Sequence, residues 1–78
     1  MMEHSTKQFA DRLNKGLDDL GVPVHIKERA VILGKMLHIP RQQAWSLLEG
    51  YTFPDDQLLQ QMTTELEIDF QTMFKNKI

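Results

Sequence analysis

Three consecutive side chains, Arg41, Gln42 and Gln43, carry the most specific chemistry in this chain. Arginine can bridge the O6 and N7 acceptors of guanine, and glutamine can pair with N6 and N7 of adenine, so such a trio can read base edges. The surrounding run 30–47, AVILGKMLHIPRQQAWSL, reads as two short helices with a tight turn between them. The first ends at His38-Ile39-Pro40 and the second starts at Arg41. This is the spacing of a helix-turn-helix, whose second, recognition helix lies in the major groove. Gly34, in the middle of the first helix, offers a thin spot where a crossing helix can come close.

Other chemistries find little support. His4, His25 and His38 are 21 and 13 residues apart, which matches no usual ligand spacing, and no cysteine supplements them. Asp18-Asp19 and Asp55-Asp56 are more simply helix-surface and capping residues than an acid/base pair. Neither a nucleophile with its base nor a glycine-rich phosphate loop is visible. The expectation is a protein that is no enzyme, with no metal, no cofactor and no small-molecule substrate.

Seventy-eight residues suffice for one domain, 1–78, near the lower limit for an independent core. With 41% hydrophobic and 26% charged residues the chain has an ordinary globular composition. The absence of cysteine excludes a disulfide framework, so helix packing must hold the fold, helped by oligomerisation. No apolar run reaches the ~18 residues of a transmembrane helix. The polar start MMEHSTKQ is no signal peptide, so a cytoplasmic location without membrane contact is expected. Net charge is −2, unevenly spread. Between Val22 and Leu47 stand Lys27, Glu28, Arg29, Lys35 and Arg41, a net of +3; from Asp55 onward five acids and two lysines give −3. A locally basic face on an acidic body can still bind phosphates.

The elements that must position the trio are helical. After the potential caps Ser5 and Thr6, Phe9, Leu13, Leu17 and Leu20 recur at helical spacing, predicting a helix over about 6–20, stopped by Gly21 with Pro23 beyond. Gly16 inside it costs roughly 1 kcal/mol relative to alanine, which implies a packing reason. A connector follows, with Val22 and Ile26 covering the core edge. A second helix is predicted over about 27–37, with Ile32, Leu33, Met36 and Leu37 on its core face. Pro40 suits the first position of a third helix, 40–48, which ends at Glu49-Gly50. Asp55 or Asp56 caps a fourth, 56–67, carrying Leu58, Leu59, Met62 and Leu66. Asp69 opens a short fifth, about 69–76, through Phe70, Met73 and Phe74. No segment alternates like a strand. The fold class is all-α, five helices in one compact domain.

In this order and spacing, from about Phe9 to Phe74, the chain resembles the lambda-repressor-like, Cro/C1-type (XRE) helix-turn-helix regulators. The residues are Leu33-Gly34-Lys35-Met36-Leu37-His38-Ile39-Pro40, then Arg41, Ala44, Leu47 and Glu49-Gly50, with Pro54 four residues later. Leu58-Leu59, Met62 and Leu66-Glu67-Ile68 are similar to the family's fourth helix and its exit. Phe9-Ala10-Asp11-Arg12-Leu13-Asn14 and Leu48-Glu49-Gly50 are similar to a prophage-repressor-like subgroup. The resemblance implies base contacts by Arg41, Gln42, Gln43 and Ser46. It implies phosphate contacts by Lys27, Arg29 and Lys35, which position without reading sequence. It departs from the family at Ala30, where a phosphate-binding glutamine is frequent, at His38 in place of the turn glycine, and at Pro40 in place of the serine cap. Histidine tolerates the left-handed conformation better than most residues. Trp45 and Leu48 stand where polar residues are frequent.

Tryptophan is enriched at interface hot spots, and an apolar chain end fits a two-fold seam. A dimer or partner surface is therefore expected at Trp45, Leu48, Phe70, Met73 and Phe74. The expected function is a sequence-specific DNA-binding transcription regulator, a repressor acting as a homodimer on double-stranded operator DNA. The alternative is a helix-turn-helix adaptor or antitoxin-like protein that binds a protein partner, with weak or no DNA binding.

Overall fold

The computed structural model describes residues 6–68 and Phe70. Among them the chain is all-α, a compact globule of four helices without strands: α1 (Thr6–Asp19), α2 (Ile26–Leu37), α3 (Arg41–Glu49) and α4 (Asp56–Leu66). The fifth helix expected from Asp69 falls outside the described residues, as do Met73 and Phe74.

α1 buries Phe9, Ala10, Leu13, Gly16 and Leu17. It stops one residue before the expected end, because Gly21 adopts φ +82° and the Val22 N–H turns back to the Leu17 carbonyl at 3.0 Å. Leu20 is thereby left half exposed, and Val22 packs against the core edge in its place. Gly16 has its packing reason: a methyl there would come within 2.6 Å of Ile68 Cγ1, whose side chain seats on the bare backbone.

The inward face of α2 keeps the predicted Leu33 and Leu37 but is rotated toward Ala30 and Arg29. Ala30, Leu33, Gly34 and Leu37 are buried together with Arg29, whereas Ile32 and Met36 are only partly so. α2 ends at His38, which takes φ 60° and ψ 43°; the His38 and Ile39 N–H groups both donate to the Gly34 carbonyl. The turn folds so closely over the helix that a Cβ on Gly34 would sit 2.9 Å from the Ile39 carbonyl oxygen. Glycine is required there by backbone, not by the far end of a side chain.

Pro40 lies just before α3, in extended conformation, rather than inside its first turn. Ala44, Leu47 and Leu48 face the interior, and Gly50 at φ 83° closes the helix with the Tyr51 N–H bonded to the Ser46 carbonyl. Asp55 caps α4, its Oδ1 accepting from the Leu58 N–H at 2.8 Å. α4 contributes Leu58, Met62 and Leu66, and Gln61 donates to the Leu37 carbonyl at 2.9 Å, tying α4 to the end of α2. Phe70 closes the core, its ring centroid 4.9 Å from that of Phe9. No helix among the described residues is long and apolar enough to cross a membrane.

Candidate functional site

α2 and α3 pack directly on each other across Gly34, and the three-residue turn between them sets how their outer faces meet. A groove of about 400 Å³ opens there, lined by Lys27 and Ala30 from α2 and by Arg41, Gln42 and Trp45 from α3. A second depression of about 460 Å³ adjoins it, lined by Pro23, Lys27, Glu28, Val31, Ile32 and Arg41. Lys27 and Arg41 border both, so the two cations stand on the ridge between them. α2 begins at Ile26 with no side-chain cap at His25.

Arg41, Gln42 and Gln43 are all exposed, and Ser46 is half-buried. Of these four, Arg41 and Gln42 reach the groove, while Gln43 and Ser46 do not line it. Trp45 does. The residue is 38% exposed and its ring leans on that of Tyr51, centroids 5.2 Å apart at 46°. The indole is held against another exposed ring rather than dropped into the core.

The expected phosphate contact at Arg29 is corrected. Arg29 is 2% exposed, and all five of its N–H directions are used inside the chain. Nε donates to the Pro23 carbonyl at 2.8 Å. One terminal nitrogen reaches the Asn14 carbonyl at 3.2 Å and Asn14 Oδ1 at 3.1 Å. The other reaches Asp18 Oδ1 at 2.6 Å and the Val22 carbonyl at 2.8 Å. A guanidinium so engaged has no donor left for a phosphate. Lys27 and Lys35 are exposed, though only Lys27 lines the groove. With Arg29 paired inside, the free charges of the 22–47 segment are Lys27, Lys35, Arg41 and Glu28, a net of +2.

Leu48 and Phe70 are corrected as well. They are 4% and 0% exposed and belong to the chain's own core, so neither presents a side chain to a partner. Trp45 is exposed, and Met73 and Phe74 lie outside the described residues.

From the sequence Asp18 reads as a helix-surface acid and Asn14 has no role of its own; the structure gives both one. Asn14 accepts from Arg29 while its amide donates to the Ala10 carbonyl at 2.9 Å and to Leu48, near the end of α3, at 3.0 Å. Leu48, Asn14, Arg29 and Asp18 thus form one chain of hydrogen bonds that fastens α3, α1, the connector and α2 together. The signal was present: Ile26, Ala30, Leu33 and Leu37 repeat at three and four, and Arg29 borders that arc. Every buried side-chain nitrogen and oxygen among the described residues has a partner, which fits a network closed on itself. No cluster of three or more potential metal ligands occurs among the described residues. Comparison with protein-family models, with curated proteins and with solved structures finds no match to this chain.

Proposed function

We propose that the protein is a small transcription regulator of the Cro/C1 type, a repressor that binds operator DNA as a homodimer. In this reading α2, the His38–Pro40 turn and α3 form a lambda-repressor-like helix-turn-helix, with α3 lying in the major groove. The observation that carries it is the convergence of Lys27, Arg41 and Gln42 on one groove at the start of two packed helices. α3 is nine residues, roughly 13 Å long, comparable to a major groove of about 12 Å. Arg41 offers its guanidinium to a guanine and Gln42 its amide to an adenine. The uncapped first turn of α2 leaves backbone N–H groups and a favourable dipole for a phosphate, with Lys27 beside them. Repression would be steric, a promoter covered by protein being closed to polymerase.

Affinity for mixed genomic duplex fragments at two salt concentrations tests the reading. A reader should weaken steeply with salt, about 0.9 in logarithmic slope per phosphate neutralised. Changing Arg41→Ala together with Gln42→Ala should cost roughly 1–3 kcal/mol of discrimination for each bidentate contact removed. Binding absent at low salt, or indifferent to these changes, sinks the proposal.

One observation favours a second reading, a protein-binding adaptor or antitoxin. Trp45 and Tyr51 form an exposed aromatic pair, and the loss of Arg29 from the basic face reduces its charge. Under that reading Trp45→Ala abolishes capture of the protein partner and Arg41→Ala does not.

A further inference from the structure

We propose that Trp45 is a specificity-determining residue, reading the C5-methyl of a thymine about two base-pair steps from the guanine bonded by Arg41. The inference rests on the DNA-binding reading above and adds to it an apolar readout that Ser46 and Gln43 cannot supply.

The argument starts from the groove. Arg41 and Trp45 are one helical turn apart, and both line it, with Lys27 contributed by α2. Four residues of helix rise about 6 Å, close to two base steps of roughly 3.4 Å each. The two side chains are therefore spaced to meet different base pairs. Ser46 is half-buried and, like Gln43, away from the groove. The indole is not there for the core: Ala44, Leu47 and Leu48 occupy that side of α3, and Trp45 is absent from the buried cluster. The Tyr51 ring packs against it, centroids 5.2 Å apart, and leaves the residue 38% exposed. In a duplex the apolar feature of the major groove is the thymine methyl, which is the group such a surface can take. The flanking cations Lys27 and Arg41 favour a polyanion over an apolar peptide as the occupant of this groove.

The test is a selection. Duplexes with a random core are enriched on the full-length protein, and the best-bound one is resynthesised with each thymine in turn replaced by uracil, which differs only by that methyl. Wild-type protein should lose about fourfold in affinity at one thymine, the effect of unburying a single methyl group, and that thymine should lie about two steps from a selected guanine. Trp45→Gln, whose folding is checked by thermal melting, should bind the thymine and uracil duplexes equally. Arg41→Ala should lose the guanine preference yet keep the thymine–uracil difference. If sequences are enriched but every thymine tolerates uracil, the assignment of Trp45 is wrong and DNA reading survives. If no sequence is enriched above the input pool, both fall together. The thymine–uracil comparison on wild-type protein needs no variant, so a Trp45 substitution that fails to fold does not rescue the idea.

Discussion

A single arginine holds much of this structure together, and its replacement separates structural from functional cations. Arg29→Met removes five hydrogen bonds at once and orphans Asn14 and the Pro23 and Val22 carbonyls. We expect a loss of about 2–4 kcal/mol in urea unfolding, dominated by the unpaired buried acceptors rather than by the ion pair. Asp18 is 55% exposed, so Asp18→Asn should cost less than about 1 kcal/mol, since water replaces most of what is lost. Equal effects of the two substitutions would contradict this division. His38 is the other residue whose backbone decides its effect. At φ 60° a side chain costs about 1–2 kcal/mol relative to glycine, and the greater freedom of unfolded glycine offsets part of that. His38→Gly should therefore raise stability by roughly 0.5–1 kcal/mol in the same assay. His38→Val should lower it, a β-branched residue being ill suited to this conformation.

At the scale of elements, two helical glycines make opposite demands. Alanine at Gly34 drives its methyl against the Ile39 carbonyl, a backbone atom of the turn that spaces α2 from α3. We expect Gly34→Ala to cost about 1–3 kcal/mol and to weaken the proposed DNA binding beyond what its stability loss explains, because the turn must open. Alanine at Gly16 meets the Ile68 side chain instead, which can change rotamer, and it gains about 1 kcal/mol of helix propensity. Gly16→Ala should be the milder change, with binding unaffected per folded molecule. A thermal melt and a duplex titration of both variants check the order. The positions of the four described helices were readable in the sequence to within a residue or two, because apolar spacing, glycines and the Asp55 cap mark them locally. The inward face of α2 was not, since Arg29 borders the apolar arc but looks like a surface charge until Asn14 and Asp18 surround it. Leu48 and Phe70 were misassigned for the converse reason: an apolar side chain reads the same whether a core or a partner covers it.

Among the described residues, the exposed bases Lys27, Lys35 and Arg41 outnumber the acids Glu28 and Glu49 on α2 and α3, while α4 and its cap carry Asp55, Asp56 and Glu65 and no base. This asymmetry would orient approach to a polyanion despite the net charge of −2. Lys27→Ala should weaken binding about equally for all duplex sequences and reduce the logarithmic salt slope by about one. A sequence-dependent loss would instead make Lys27 a base reader.

By itself the sequence determined that the described part of the chain is helical, where its four helices begin and end to within a residue or two, and that an Arg-Gln-Gln trio follows a tight turn. These are local properties, carried by spacing, caps and breakers within a few residues. Only the tertiary structure decided which of those side chains are available. Burial depends on partners far along the chain, so it took the packed helices to draw Arg29 into a network and Leu48 and Phe70 into the core.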